Sequence, residues 1–184
     1  QIELLNKDFI AFHVSGGTTQ AILVQPDEQN VFKTTVILSS LDLKAGQAID
    51  RAGVKLGYDF PCGQAIEKLA LECNQDIKVN IPFKQGNPSL SGIENKVNKM
   101  LEQGTSKQYI SKFVIECIKS AVYQMSEYIL KQYNLPIIFS GGVMSNCIIR
   151  DFMQEKFDCF FAKPELSRDN AVGIAFLTKY LSEK

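Results

Sequence analysis

The 184-residue chain sets 20 lysines and arginines against 20 aspartates and glutamates and is 45% hydrophobic, which fits one domain with a real core rather than a disordered segment. Balanced charge gives no chain-wide electrostatic footprint for nucleic acid, so any RNA contact has to be local. Its five cysteines are odd in number and lack C-x-x-C spacing, which argues against a disulfide framework or zinc cluster and fits a reducing cytoplasm, and no stretch approaches the roughly 18 apolar residues of a membrane span.

Residues 9–14, 20–24 and 31–38 are short β-branched and aromatic runs separated by turn material, and they predict a three-strand antiparallel meander. Ala45 to Leu56 follows as an amphipathic helix with Ile49, Ala52, Val54 and Leu56 on its apolar side, closed by Gly57. Pro61 is expected to start a second helix running to about Cys73. From Asn74 to Gly104 the pattern is broken by Pro82, Gly86, Pro88 and Gly92, with one helical piece near Ile93 to Leu101, and it reads as an inserted lid or connector. Apolar residues from Ile110 to Ile129 then keep helical spacing for about five turns, the pattern of a core helix. A strand at Ile137 to Ser140, a helix from Ser145 to about Lys156, a strand at Cys159 to Phe161 and a last helix from Ser167 to Leu181 complete the chain. The twelve Phe and six Tyr are expected to fill the core. This βββαβαβα order predicts an α/β fold: one ribonuclease-H-like lobe of the actin/Hsp70/sugar-kinase ATPase superfamily, with a helical or loop insertion at about 61–108. No charged-then-apolar leader is present, and the chain opens on Gln1 rather than methionine, so a longer parent is expected.

A glycine pair twice follows an apolar strand, in Ser15-Gly16-Gly17-Thr18-Thr19 and in Ser140-Gly141-Gly142-Val143. Glycine lets backbone amides approach anionic oxygens or a flat base closely. The first turn reads either as such a cradle or as an ordinary hairpin turn. The second joins a buried strand to a helix, where ligands of open α/β sheets sit, though Ser145 or Asn146 equally reads as a plain helix cap. On its own, Asp50 reads as a solvated charge or one beside Arg51. Asp169 reads as a carboxylate favoured by the dipole of the last helix, and one aspartate cannot hold a metal alone. His13, the only histidine, reads as a strand residue packed in the core, and the cysteines read as small buried hydrophobes.

The stretches His13 to Gln20, Ala45 to Asp50, Phe60 to Ala70, Ser89 to Gly92, Ser140 to Asn146 and Asp169 to Ala171 together resemble, in order, the TsaD/Kae family, formerly called glycoprotease or O-sialoglycoprotein endopeptidase. The resemblance covers nearly the whole chain but only the second of the family's two lobes. It implies transfer of a threonylcarbamoyl group from threonylcarbamoyl-adenylate to N6 of adenosine 37 in tRNA. It further implies that His13, Val14, Ser15, Gly16 and Gly17 line the phosphate and carbamoyl side of a cleft, that Asp50 and Gly63 contact ribose and adenine, and that Asn146 binds near the nucleoside. Asp169 would ligate a divalent metal, iron or zinc, shared with two histidines of the missing N-terminal lobe, so the isolated chain is expected to be inactive. Implied partners are that lobe, tRNA reached through the full-length protein, and assembly proteins of the TsaB-like and TsaE-like kinds; the cut surface predicts self-association. No H-E-x-x-H and no Ser/Cys-His pair supports a peptidase.

Three positions depart from the family pattern. Thr18 stands where histidine is usual, Gln47 where glutamate is usual, and Cys62 where the first glycine of Pro-Gly-Gly is usual. A non-catalytic actin-like paralogue that binds a nucleotide or a partner protein is therefore the alternative expectation.

Overall fold

Strict alternation fixes the central strand. Along Phe9–Val14 (β1) the side chains of Ile10, Phe12 and Val14 are fully buried and those between them are only half-buried. Thr19–Asp27 (β2) pairs antiparallel with β1, and Val31–Ser39 (β3) pairs antiparallel with β2. On the other side of β1, Ile137–Ser140 (β6) runs parallel, followed by Cys159–Phe161 (β7), also parallel, giving the sheet order β3-β2-β1-β6-β7. The computed structural model of the chain describes residues 2–163 and 171–182.

Helices cover one face of this sheet. Ala45–Lys55 (α1), Gly63–Leu71 (α2), Lys107–Leu130 (α4) and Cys147–Lys156 (α5) contribute Ile49, Ile66, Ile118 and Ile149 to one core with Ile10, Phe12 and Phe139. Helix α4 starts where Ser106 Oγ accepts the Tyr109 amide at 3.3 Å, and its buried stripe runs from Ile110 to Ile129 as the spacing predicts. On the opposite face Phe9, Ala11, His13, Ile138 and Ser140 are half-buried, while Val36 and Phe160 are exposed. The last helix, Ala171–Ser182 (α6), exposes Ile174, Phe176 and Leu181.

The segment expected as a lid or connector packs its apolar residues into the core. Its hairpin of Phe83–Lys84 (β4) and Asn87–Pro88 (β5), absent from the sequence reading, is tied to β3 by the Ser39 amide donating to Asn87 Oδ1 at 2.7 Å. Helix Gly92–Glu102 (α3) buries Ile93 and Val97, and Ile81 and Leu90 are buried too. Asp42 organises this region: one oxygen accepts the amides of Leu43 and Leu90, the other the hydroxyls of Ser89 and Ser91. Other expectations also change. Of the twelve phenylalanines only Phe12, Phe113 and Phe139 are buried, and the core is mainly Ile, Val, Leu and Ala. Val54 is 56% exposed, helix α2 begins at Gly63 after a cis Phe60–Pro61 bond, and a 3-10 turn at Ile2–Asn6 buries Leu4. Cys62 and Cys117 are buried, but Cys73, Cys147 and Cys159 are only half-buried.

Candidate functional site

The first glycine turn is a hairpin turn after all, but one with a helix pressed onto it. The Ser15 amide donates to Thr18 O at 2.7 Å and the Thr18 amide to Ser15 Oγ at 3.2 Å, closing the link between β1 and β2. Helix α1 then uses the turn as its cap: the Ala45 amide donates to the buried Thr19 hydroxyl at 2.8 Å and the Gly46 amide to Ser15 O at 3.1 Å. A Cβ on Gly46 would lie 2.6 Å from the Gly16 nitrogen, so only glycine permits this approach. Gln47, one of the departures, has its Oε1 3.4 Å from the Lys44 amide, the return arm of a capping box.

The second turn meets the first. Gly141 has φ +97°, and a Cβ there would run into the carbonyl of Val14. Gly142–Ser145 form a 3-10 turn, after which Asn146 Oδ1 caps α5 by accepting the Ile149 amide at 3.1 Å. Asn146 is only 7% exposed, and its Nδ2 has no protein partner among the described residues. The Ser145 hydroxyl is likewise buried without a partner.

Between these turns and helices α1 and α2 lies a cleft of about 480 Å³. Gly16 and Gly46 form one wall, Gly142, Ser145 and Asn146 another, and Asp50, Gly63 and Glu67 face it from the helices. Each carboxylate is anchored through one oxygen: Asp50 Oδ1 accepts the Cys62 amide at 2.8 Å, and Glu67 Oε1 accepts the Cys147 amide at 2.6 Å. The second oxygen of Asp50 has no protein partner among the described residues, and Glu67 also takes a hydrogen bond from the Cys147 thiol. Hydrogen bonding to Glu67, with burial, pushes the Cys147 thiol up from its ordinary value. The cleft therefore combines close backbone amides on one side with two anchored carboxylates and a free amide on the other. That set suits a ligand with an anionic or flat part and a part rich in hydroxyls.

Of the residues singled out in the sequence, Gly16, Asp50, Gly63 and Asn146 line this cleft. Arg51 does not pair with Asp50; it bonds Glu94 at 2.8 Å on the far side of α1. Ser15 and Gly17 flank Gly16 in the turn, whereas the Val14 side chain is fully buried and only its main chain reaches the turns. His13 is half-buried rather than packed in the core, with Nδ1 3.3 Å from Ser140 Oγ. Ser140 Oγ also lies 3.0 Å from Phe12 O, so this hydroxyl ties the His13 ring to the main chain of β1. Asp169 lies outside the described residues. No group of three His, Cys, Asp or Glu able to hold a metal occurs among the described residues. Glu67, Gly46 and Ser145 were missed as site residues. The spacing of Gly63 and Glu67, one helical turn apart on a short helix, was the signal that could have found the carboxylate.

The TsaD model, described as tRNA N6-adenosine threonylcarbamoyltransferase, matches residues 3–176. The chain belongs to this family. Among curated relatives, the tRNA N6-adenosine threonylcarbamoyltransferases of Thermococcus sibiricus and Brachyspira hyodysenteriae are each 30% identical to it, over 92% and 96% of this chain and 53% and 55% of theirs. The chain thus spans about half the length of these relatives. Among solved structures it resembles full-length HypF in its phosphate- and nucleotide-bound form, with a TM-score of 0.65 at 12% identity over 88% of this chain and 37% of that one. It also resembles component A of Acidaminococcus fermentans (R)-2-hydroxyglutaryl-CoA dehydratase, with a TM-score of 0.52 at 15% identity over 89% and 57%. At such identities the likeness is one of fold, and it agrees with the α/β architecture and mixed sheet described above. No helix among the described residues of this TsaD-family chain is long and apolar enough to cross a membrane.

Proposed function

We propose that the chain is the nucleotide-binding, C-terminal half of a tRNA N6-adenosine threonylcarbamoyltransferase and that its cleft takes an adenine nucleotide or threonylcarbamoyl-adenylate. The observation that carries this reading is the pairing, in one cleft, of two glycine turns with the anchored carboxylates of Asp50 and Glu67. The turn formed by Ser15, Gly16 and Gly17, with the main chain of His13 and Val14 behind it, serves the phosphate and carbamoyl side. The free oxygen of Asp50, with the Glu67 carboxylate beside it, accepts hydroxyls of the ribose, Gly63 gives the base a flat approach, and Asn146 Nδ2 donates to the nucleoside. Asp169 supplies one carboxylate to a divalent metal completed by the other half of the protein, so this half alone is inactive. In the whole protein the adenine amine of tRNA attacks the carbamoyl carbon and AMP leaves; the residues here bind and orient the adenylate. TsaB-like and TsaE-like proteins are the proposed assembly partners, and the cytoplasm the proposed compartment.

The alternative, a non-catalytic paralogue that binds a nucleotide or partner, draws on Thr18, the departure for which the structure supplies no replacement side chain. Calorimetric titration of the chain with ATP and AMP tests the cleft. D50N and E67Q keep an acceptor for the amides they anchor and should weaken binding about 10- to 100-fold, the range of a hydrogen bond to a charged group. Unchanged affinity in both variants would remove the carboxylates from the site. Metal content of the full-length protein with and without D169A separates the enzyme from the paralogue.

A further inference from the structure

Phe60, in the link between α1 and α2, is 74% exposed, the most exposed large apolar side chain among the described residues. It directly precedes Pro61, which lines the cleft. Its backbone is held on both sides. The Tyr58 amide donates to Gly53 O at 3.0 Å, the Cys62 amide to Asp50 at 2.8 Å, and the Cys62 thiol to Asp59 O at 3.4 Å, with Cys62 itself fully buried. A ring shown to solvent from a fixed frame gives up little entropy when something stacks on it. Its exposed sequence neighbours Asp59, Pro61, Gly63 and Gln64 are polar or small.

We infer that Phe60 is the stacking platform for an unpaired purine base of an RNA strand brought to the mouth of the cleft. A nucleobase needs only one aromatic face, and stacking is the contact open to a chain whose net charge is zero. One cation lies on the same link: Lys107 Nζ is 5.3 Å over the ring of Tyr58, two residues before Phe60 in sequence, and is ion-paired to no carboxylate among the described residues. It supplies a local phosphate contact. The inference rests on the reading of the cleft as a nucleotide site, since that reading brings a tRNA adenine to its mouth.

The test uses the full-length protein, an anticodon stem-loop RNA with an unpaired adenine in its loop, and ATP. F60A should weaken stem-loop binding about 10- to 100-fold, the effect of one lost base stack, and leave ATP affinity within about twofold; F60W should restore RNA binding. K107A should lower the salt dependence of RNA binding by about one charge. Equal RNA affinity in F60A and wild type overturns the inference, as does failure of the wild type to bind the stem-loop. A parallel loss of ATP affinity in F60A assigns the ring to the nucleotide instead, which also overturns it. A fall in melting temperature with RNA binding intact assigns the ring to an interface with the other half. Failure of the cleft reading is separately visible as wild-type protein that does not bind ATP at all.

Discussion

The two glycines of the second turn sit side by side in sequence, yet the structure gives them opposite roles, and substitution separates these. At Gly141 the backbone is left-handed and a Cβ would strike the carbonyl of Val14, main chain in the central strand that cannot step aside. With ψ at 156° this is a conformation open essentially to glycine, which costs an L-residue about 1–3 kcal/mol, and overpacking against fixed atoms adds about 1–3 kcal/mol. The loss of unfolded-chain freedom returns about 0.4–1 kcal/mol. G141A should therefore lose about 2–4 kcal/mol, which for a chain of this size is a drop of about 5–15 °C in melting temperature. A Cβ at Gly142 meets nothing within 4 Å, and Gly142 lies on the cleft wall. G142A should melt within about 1 kcal/mol of wild type, while G142V should fill the approach to the backbone and weaken ATP binding at least tenfold, about 1.4 kcal/mol. Thermal melts followed by circular dichroism and calorimetry on the same preparations decide the matter. A G141A protein that melts like wild type, or a G142V protein that binds ATP normally, refutes the argument at the corresponding glycine.

Burial raises the pKa of Asp42, but the hydroxyls of Ser89 and Ser91 and the amides of Leu90 and Leu43 outweigh it and hold the carboxyl well below its ordinary value. Its contribution is thus present above the unfolded pKa near 3.8 and is lost as pH falls through the lower folded value. D42A should cost about 1–2 kcal/mol at pH 7, and its melting point should converge on that of wild type only in acid below that range; a constant gap would show that the charge is irrelevant. T19V removes the hydroxyl that caps α1 while keeping the shape, and should cost about 0.5–2 kcal/mol in a denaturant titration. Exposed Phe160, Ile174, Phe176 and Leu181 predict self-association of the chain, and light scattering that shows a monomer at high concentration would count against it.

Local pattern exposed most of the fold to sequence reading. The alternation in β1, the five-turn stripe of α4 and the meander all fall within a few residues of their expected bounds, because each satisfies its own period before tertiary contacts are made. The segment from Asn74 to Gly104, read as a lid or connector, hid its core contacts because its glycines and prolines break every period, while Asp42 and Asn87 supply long-range hydrogen bonds that have no local signature. At the site, the two glycine turns were visible as composition, but their contact through Val14 and Gly141 is a matter of sheet register. Glu67 went unnoticed for a related reason: its partner is the amide of Cys147, eighty residues away, and a backbone amide has no residue type to read.

Cys62 is the departure whose meaning the structure makes testable. Its side chain packs directly on Gly53, where a Cβ would collide with it, and its sulfur donates to the main-chain oxygen of Asp59, while the hydrogen bond to Asp50 uses only its amide. Burial first, then the charges of Asp50 and Asp59, raise its pKa, which favours the neutral thiol as packing material. C62G should therefore remove packing but leave Asp50 anchored, costing about 1–3 kcal/mol for a small residual cavity and a freer backbone. ATP affinity should stay within about twofold. A fall in affinity matching that of D50N would show instead that the side chain at position 62 shapes the cleft, and that this departure reaches the ligand itself.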